Sequence, residues 1–112
     1  MKPVLYHNPR CGKSRAALAL LQERGIEVDL VEYLKTPLDR SALDRLLTAL
    51  GNDPAVVRRK EAIAHGLNPA GLNRAERIAA LLAHPLLLER PILMVGEKAI
   101  IGRPPEKVLE LV

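Results

Sequence analysis

The chain is predicted to be an α/β protein with a four-stranded mixed sheet, built as β-α-β, then a run of helices, then β-β-α. Three observations predict this. Val4–Tyr6 is a short apolar run followed by a helix that opens near Cys11 and by an alternating segment ending at Tyr33. That is a βαβ unit, so its two strands should be parallel. Pro91–Val95 and Ala99–Ile101 are two more apolar runs, separated by the tight turn Gly96-Glu97-Lys98, and should form an antiparallel hairpin. Between these halves, at about 38–88, helical periodicity and capping residues recur without linker composition. This stretch is expected to be a helical insert on the same core, making the 112 residues one domain.

Each element has its own local reason. The first helix carries Ala17, Leu18, Leu20 and Leu21 on its apolar face, and Gly25 suits the left-handed position after its end. From Glu27 to Tyr33 polar and apolar residues alternate, the pattern of a strand with one solvated face. Asp39 caps a helix over Arg40–Leu50, whose apolar positions are Leu43, Leu46, Leu47 and Leu50, and Gly51-Asn52 closes it. Asp53-Pro54 has the cap-and-first-residue form of a short helix with Val56 and Val57 inward. Glu61–His65 reads as a further turn or two, ended by Gly66, and Asn68–Leu72 as a loop. Asn73 with Glu76 resembles a capping box and opens a helix bearing Ile78, Ala79, Leu81 and Leu82, which runs to about Ala83. Pro91 lacks a donor for a sheet ladder and belongs at the start of its strand. Gly102-Arg103-Pro104-Pro105 leads into a last helix with Val108, Leu109 and Val112 on its apolar side.

Composition narrows the function. Phenylalanine and tryptophan are absent and tyrosine occurs twice, so the core must be aliphatic. The net charge of +4 suits anionic small molecules or an acidic partner. Nucleic-acid binding is not expected, because there is neither a long basic run nor interleaved aromatic residues. No apolar run reaches the roughly 20 residues that span a bilayer, and no secretory leader is visible, so a soluble cytoplasmic protein is expected. With one cysteine there is no internal disulfide. That cysteine and His7, His65 and His84 have no metal-ligand spacing, so neither a metal nor a bound cofactor is expected.

The chemistry centres on Lys2–Arg15. Cys11, the only cysteine, falls at or just before the first turn of a helix, where unpartnered backbone N–H groups favour a thiolate or a bound oxyanion. Arg10, Lys13 and Arg15 add positive charge, and His7 is placed either to aid ionisation or simply to shape the turn. These conditions lower a cysteine pKa from about 8.5 toward neutrality. A free cysteine is often only a small buried hydrophobe. The neighbours Pro9, Arg10, Gly12 and Lys13 are not those of a core position. Ser14 stands where a Cys-x-x-Cys pair would need a second cysteine, so a self-contained dithiol cycle is excluded. Ser14 either bonds the thiolate or is an ordinary first-turn serine. A phosphatase-type Cys-x5-Arg loop would need arginine at position 17, which is Ala17. Arg59, Arg90 and Arg103 are the forked donors available to an oxyanion; the last two flank the hairpin. A reactive thiol beside such a site, without a resolving cysteine, implies nucleophilic attack on the oxyanion and release by an outside thiol.

The segment Tyr6-His7-Asn8-Pro9-Arg10-Cys11-Gly12-Lys13-Ser14-Arg15 closely resembles the active-site segment of the glutaredoxin-linked arsenate reductase family. Tyr33-Leu34-Lys35-Thr36-Pro37, Arg59-Lys60, His84-Pro85, Arg90-Pro91-Ile92 and Ile101-Gly102-Arg103-Pro104 match further landmarks in order, so the resemblance covers essentially the whole chain. It implies a thioredoxin-like fold with a helical insert. It also implies reduction of arsenate to arsenite through a thiol–arsenate adduct on Cys11, resolved by glutathione and glutaredoxin. By the same resemblance Arg59, Arg90 and Arg103 hold the oxyanion, with Arg58 one residue away from the first of them. His7 aids ionisation, Ser14 lies beside the thiolate, and the bond before Pro91 is cis. A monomer is expected. Short relatives with this fold leave two alternatives: a glutathione-dependent thiol reductase on another substrate, and a non-enzymatic regulator.

Overall fold

The computed structural model describes residues 2–112. A four-stranded sheet is ordered β2-β1-β3-β4 and consists of β1 (Val4–Tyr6), β2 (Asp29–Val31), β3 (Ile92–Val95) and β4 (Lys98–Ile101). β1 pairs in parallel with β2, with Leu5 opposite Leu30, and antiparallel with β3, with Leu5 opposite Leu93. β3 and β4 form the expected antiparallel hairpin. Gly96, the first of its two turn residues, has φ +61°, which glycine adopts without a steric penalty. This mixed sheet with its intervening helices matches a thioredoxin-like arrangement.

Strand alternation sorts the core into two layers. Leu5 and Leu93 point to one face, where they meet Ala17 and Leu21 of α1 (Gly12–Glu23) and Val108 of the C-terminal turn. Tyr6 and Ile92 point to the other face, covered by α2 (Arg40–Ala49), α3 (Arg59–Ala64) and α4 (Arg74–Ala83). There they join Leu43, Leu46, Leu47, Ile78 and Leu81 in one cluster. Both layers are almost wholly aliphatic. Short 3₁₀ turns at Pro54–Val56, Pro69–Gly71 and Pro85–Leu87 link the helices.

Local signals set most helix ends. The Asp39 carboxylate accepts from the Ala42 N–H at 2.8 Å, and that of Asp53 accepts from Ala55 at 2.9 Å. The Asn73–Glu76 capping box is reciprocal, with bonds of 2.9 and 3.0 Å. Three expectations need correction. β2 is three residues, not the longer Glu27–Tyr33 run, because it is an edge strand paired only with the three residues of β1; Leu30 stays 44 % exposed. In α4 the inward alanine is Ala80, while Ala79 is exposed. The last helix is a 3₁₀ segment, Pro105–Leu111, with tighter winding, and Val112 lies beyond it, 48 % exposed. No helix of the described residues is long and apolar enough to cross a membrane.

Two features of the β3–β4 end matter for the site. The Arg90–Pro91 and Arg103–Pro104 bonds are both cis, the second not anticipated from sequence. Gly102 packs against Pro91: its N–H donates to the Pro91 carbonyl at 2.8 Å, and a Cβ there would lie 2.8 Å from Pro91 Cγ and 2.9 Å from Val108 Cγ1. Both obstacles are held by their surroundings, so Gly102→Ala is expected to cost about 1–3 kcal/mol in urea-induced unfolding, the usual cost of overpacking. Leu30→Ala at the exposed sheet edge should cost under about 0.5 kcal/mol.

Candidate active site

Cys11 is the N-cap residue of α1, in extended conformation with φ −91° and ψ 121°. The turn before it is built by Asn8, whose importance was not read from the sequence. The Asn8 side-chain oxygen accepts from the Arg10 N–H, and its carbonyl from the Cys11 N–H, each at 3.0 Å. The signal was present in the Asn8-Pro9 dipeptide, a common turn former. Arg15 closes the loop by donating to the Pro9 carbonyl at 2.9 Å.

Ser14 and His7 lie under this turn. Ser14 is fully buried and His7 is 4 % exposed. The Ser14 hydroxyl oxygen accepts from the Asn8 N–H at 3.1 Å and lies 2.7 Å from His7 Nδ1. Its hydroxyl is therefore engaged with the turn, while its backbone N–H is the group that acts on Cys11. The His7 ring bonds the Ser14 hydroxyl and makes no hydrogen bond to the thiol among the described residues. Burial is the main reason its pKa lies below the ordinary histidine value; Glu32 opposes that shift and Arg15 adds to it. A neutral imidazole at pH 7 follows.

The Cys11 side chain forms no capping hydrogen bond, yet its surroundings favour its charged form. Burial pushes the thiol pKa up. The backbone N–H groups of Ser14 and Lys13, the Arg90 side chain and the charge of Arg103 outweigh that and leave it below the ordinary thiol value. Arg103 Nη2 donates to Cys11 Sγ at 3.7 Å, bridging the two ends of the chain. Arg90 donates through Nη1 to the Leu86 carbonyl at 3.2 Å, and its buried Nε has no partner among the described residues. An unsatisfied guanidinium N–H beside a half-buried thiol is suited to receive an oxyanion. Tyr33 lies beneath, its hydroxyl donating to the Leu88 carbonyl at 3.4 Å. Burial raises its pKa against the pull of Arg90 and Arg58, so the phenol stays protonated.

The remaining arginine expected at the site was Arg59. The structure sets Arg58 beside Glu89 and leaves Arg59 at the surface. Val57 and Leu88 form an isolated antiparallel bridge, flanked by Arg58 N–H to Leu87 carbonyl at 2.7 Å and Glu89 N–H to Val56 carbonyl at 2.8 Å. This sets Arg58 beside Glu89: Arg58 Nε is 3.7 Å from Glu89 Oε1 and 3.1 Å from Glu61 Oε2. Arg59, one position on, is the exposed first residue of α3, and its side chain makes no ion pair or hydrogen bond among the described residues. One step along a helix turns a side chain by about 100°, so adjacent residues cannot share a face. Lys13 and Arg10 are exposed at the rim, and no cluster of three or more His, Cys, Asp or Glu side chains among the described residues could hold a metal.

A depressed thiol pKa has a direct consequence. The rate of Cys11 alkylation by iodoacetamide should rise with pH along a curve whose midpoint lies below that of an ordinary free thiol. Arg103→Ala removes one source of the depression, so its midpoint should move upward.

The sequence pattern of the ArsC family matches residues 6–111. The chain is 48 % identical over 112 residues to the uncharacterized Escherichia coli protein YfgD, covering 96 % of this chain and 94 % of that one. It is 44 % identical over 108 residues to an arsenate reductase of Neisseria meningitidis, covering 93 % and 92 %. The solved structure of an arsenate reductase from Vibrio cholerae superposes with a TM-score of 0.90 at 42 % identity, over 100 % of this chain and 98 % of the other. With a family pattern spanning nearly all of its length and such relatives on both sequence and fold, the chain belongs to the ArsC family.

Proposed function

We propose that the protein reduces arsenate to arsenite by the glutaredoxin-linked route, acting as a cytoplasmic monomer without a bound cofactor. The observation that carries this reading is a single cysteine at a helix N-terminus, its sulfur 3.7 Å from Arg103, with Arg90 offering a buried unpartnered donor beside it. The arsenate reductases among its relatives support the choice of oxyanion.

In the proposed reaction, arsenate enters against Arg90, Arg103 and the first N–H groups of α1, with Arg58 taking the part assigned from sequence to Arg59. The Cys11 thiolate attacks arsenic and an arsenate oxygen leaves as water, forming a thiol–arsenate adduct. The arginine forks and helix N–H groups stabilise charge on the oxygens as the bond forms. Glutathione then attacks the adduct. Two electrons from the thiols reduce As(V) to As(III), arsenite leaves, and the disulfide between Cys11 and glutathione is reduced by glutaredoxin. The absence of a second cysteine makes an external thiol necessary. Ser14 and His7 serve by fixing the turn that aims the N–H groups at sulfur.

Arsenite formation with glutathione and glutaredoxin tests this reading. Wild type should turn over and Cys11→Ser should not. No turnover by wild type, with its thiol reduced and the donor system active on a control reductase, overturns the arsenate assignment. The arginine assignment is tested separately. Arg90→Ala and Arg103→Ala should lower kcat/KM by roughly 10²–10³, and Arg58→Ala should lower it far more than Arg59→Ala.

A further inference from the structure

Glu61 pairs with Arg58 alone, whereas Glu89 lies within ion-pair distance of both Arg58 and Arg103, and the reaction above gives it no part. A negative charge there opposes anion binding by simple electrostatics, so its presence calls for a physical reason. Its Oε1 lies 3.1 Å from Arg103 Nε and 3.7 Å from Arg58 Nε, and accepts from the Arg90 backbone N–H at 3.1 Å. Arg103 Nε also donates to the Arg90 carbonyl at 2.9 Å. Arg103 Nε is thus held by Glu89 and the Arg90 carbonyl, while its Nη2 meets the Cys11 sulfur. The Glu89 side chain is only 18 % exposed, so its charge is weakly screened.

We propose that Glu89 is a positioning residue: its carboxylate gathers Arg103, which follows β4, and Arg58, which precedes α3, and turns the free fork of Arg103 toward Cys11. Three guanidinium groups drawn into one small site repel each other. A largely shielded carboxylate shared between two of them offsets that repulsion and fixes their directions. The planar fork of arginine lets Arg103 meet Glu89 through Nε and Cys11 through Nη2 at once, and a lysine could not bridge them in the same way. The proposal deepens the oxyanion-site reading but does not depend on arsenate being the substrate.

The two possible roles of Glu89 predict opposite signs. As a mere nearby charge, its removal would make the site more positive, lowering the Cys11 pKa and the KM for the oxyanion. As a positioning residue, its removal lets Arg103 swing away, raising both. Glu89→Gln is nearly isosteric and keeps an acceptor for the Arg90 N–H, so the fold should persist, as checked by thermal unfolding. The Cys11 pKa, read from the pH dependence of iodoacetamide alkylation and of thiolate ultraviolet absorbance, needs no turnover. It is expected to rise in Glu89→Gln, with the alkylation rate at neutral pH falling by about threefold to tenfold, each pKa unit being tenfold in thiolate. Arg103→Lys keeps the charge but not the fork and should show a similar rise. The double variant should be no worse than either single one, since both break the same link. An unchanged or lower pKa in Glu89→Gln, or additive effects in the double variant, overturns the proposal. Loss of arsenate turnover in the wild type, with these thiol effects intact, would remove only the arsenate reading.

Discussion

The antiparallel pairing of β1 with β3 is the interaction on which the site depends. Tyr6 stands opposite Ile92, so the residues leaving the end of β1 run beside those entering β3. One chain crossing therefore brings His7–Cys11 against Arg90 and the cis bond before Pro91. The return strand β4, paired to β3 with Ile101 opposite Ile92, delivers Arg103 to the same end. A one-residue slip would turn Leu5 and Leu93 out of the layer they share with Ala17 and Leu21, so the aliphatic core holds this register firmly. The chemistry at the end of the sheet is tied to burial at its centre.

Electrostatics at that end are arranged in opposition. The first N–H groups of α1 and two arginines favour a thiolate, while burial resists it. Cys11 remains half-buried, so the cost of ionising it stays modest and the donors prevail. A more deeply buried thiol would lose that contest, and a more exposed one would gain less from the same donors. Ser14 and His7 carry no charge into this balance. The bond between them, with the one from Asn8, ties the turn down from below.

The helical insert completes the site from the other side. The bridge between Val57 and Leu88 is short, yet it joins the start of α3 to the residues leading into β3. Val56, Val57, Leu87 and Leu88 are all buried, so apolar packing fixes where the neighbouring charged residues emerge. Arg58 and Glu89 are brought together as a consequence. The insert thus shares both core and site with the sheet.

Much of this protein was legible in its sequence because the signals are local. Periods of two and of 3.6, the caps at Asp39, Asp53 and Asn73, and the glycines after the helices act over a few residues and name their own elements. Cys11 at the mouth of α1 belongs to the same class, since its neighbours in sequence create much of its environment. Other features were decided only in three dimensions. Edge position shortened β2, which alternation alone extended to Tyr33. Which of Arg58 and Arg59 stands beside Glu89 turned on a single bridge to Leu88, far away in sequence, and nothing local distinguishes two adjacent arginines. Glu89 had no pattern to announce it, because its two arginine ion-pair partners come from separate, distant segments. Residue type and spacing determine what each segment can be. Which side chains meet is set by the register of the strands and the packing of the layers, and these are properties of the folded chain as a whole.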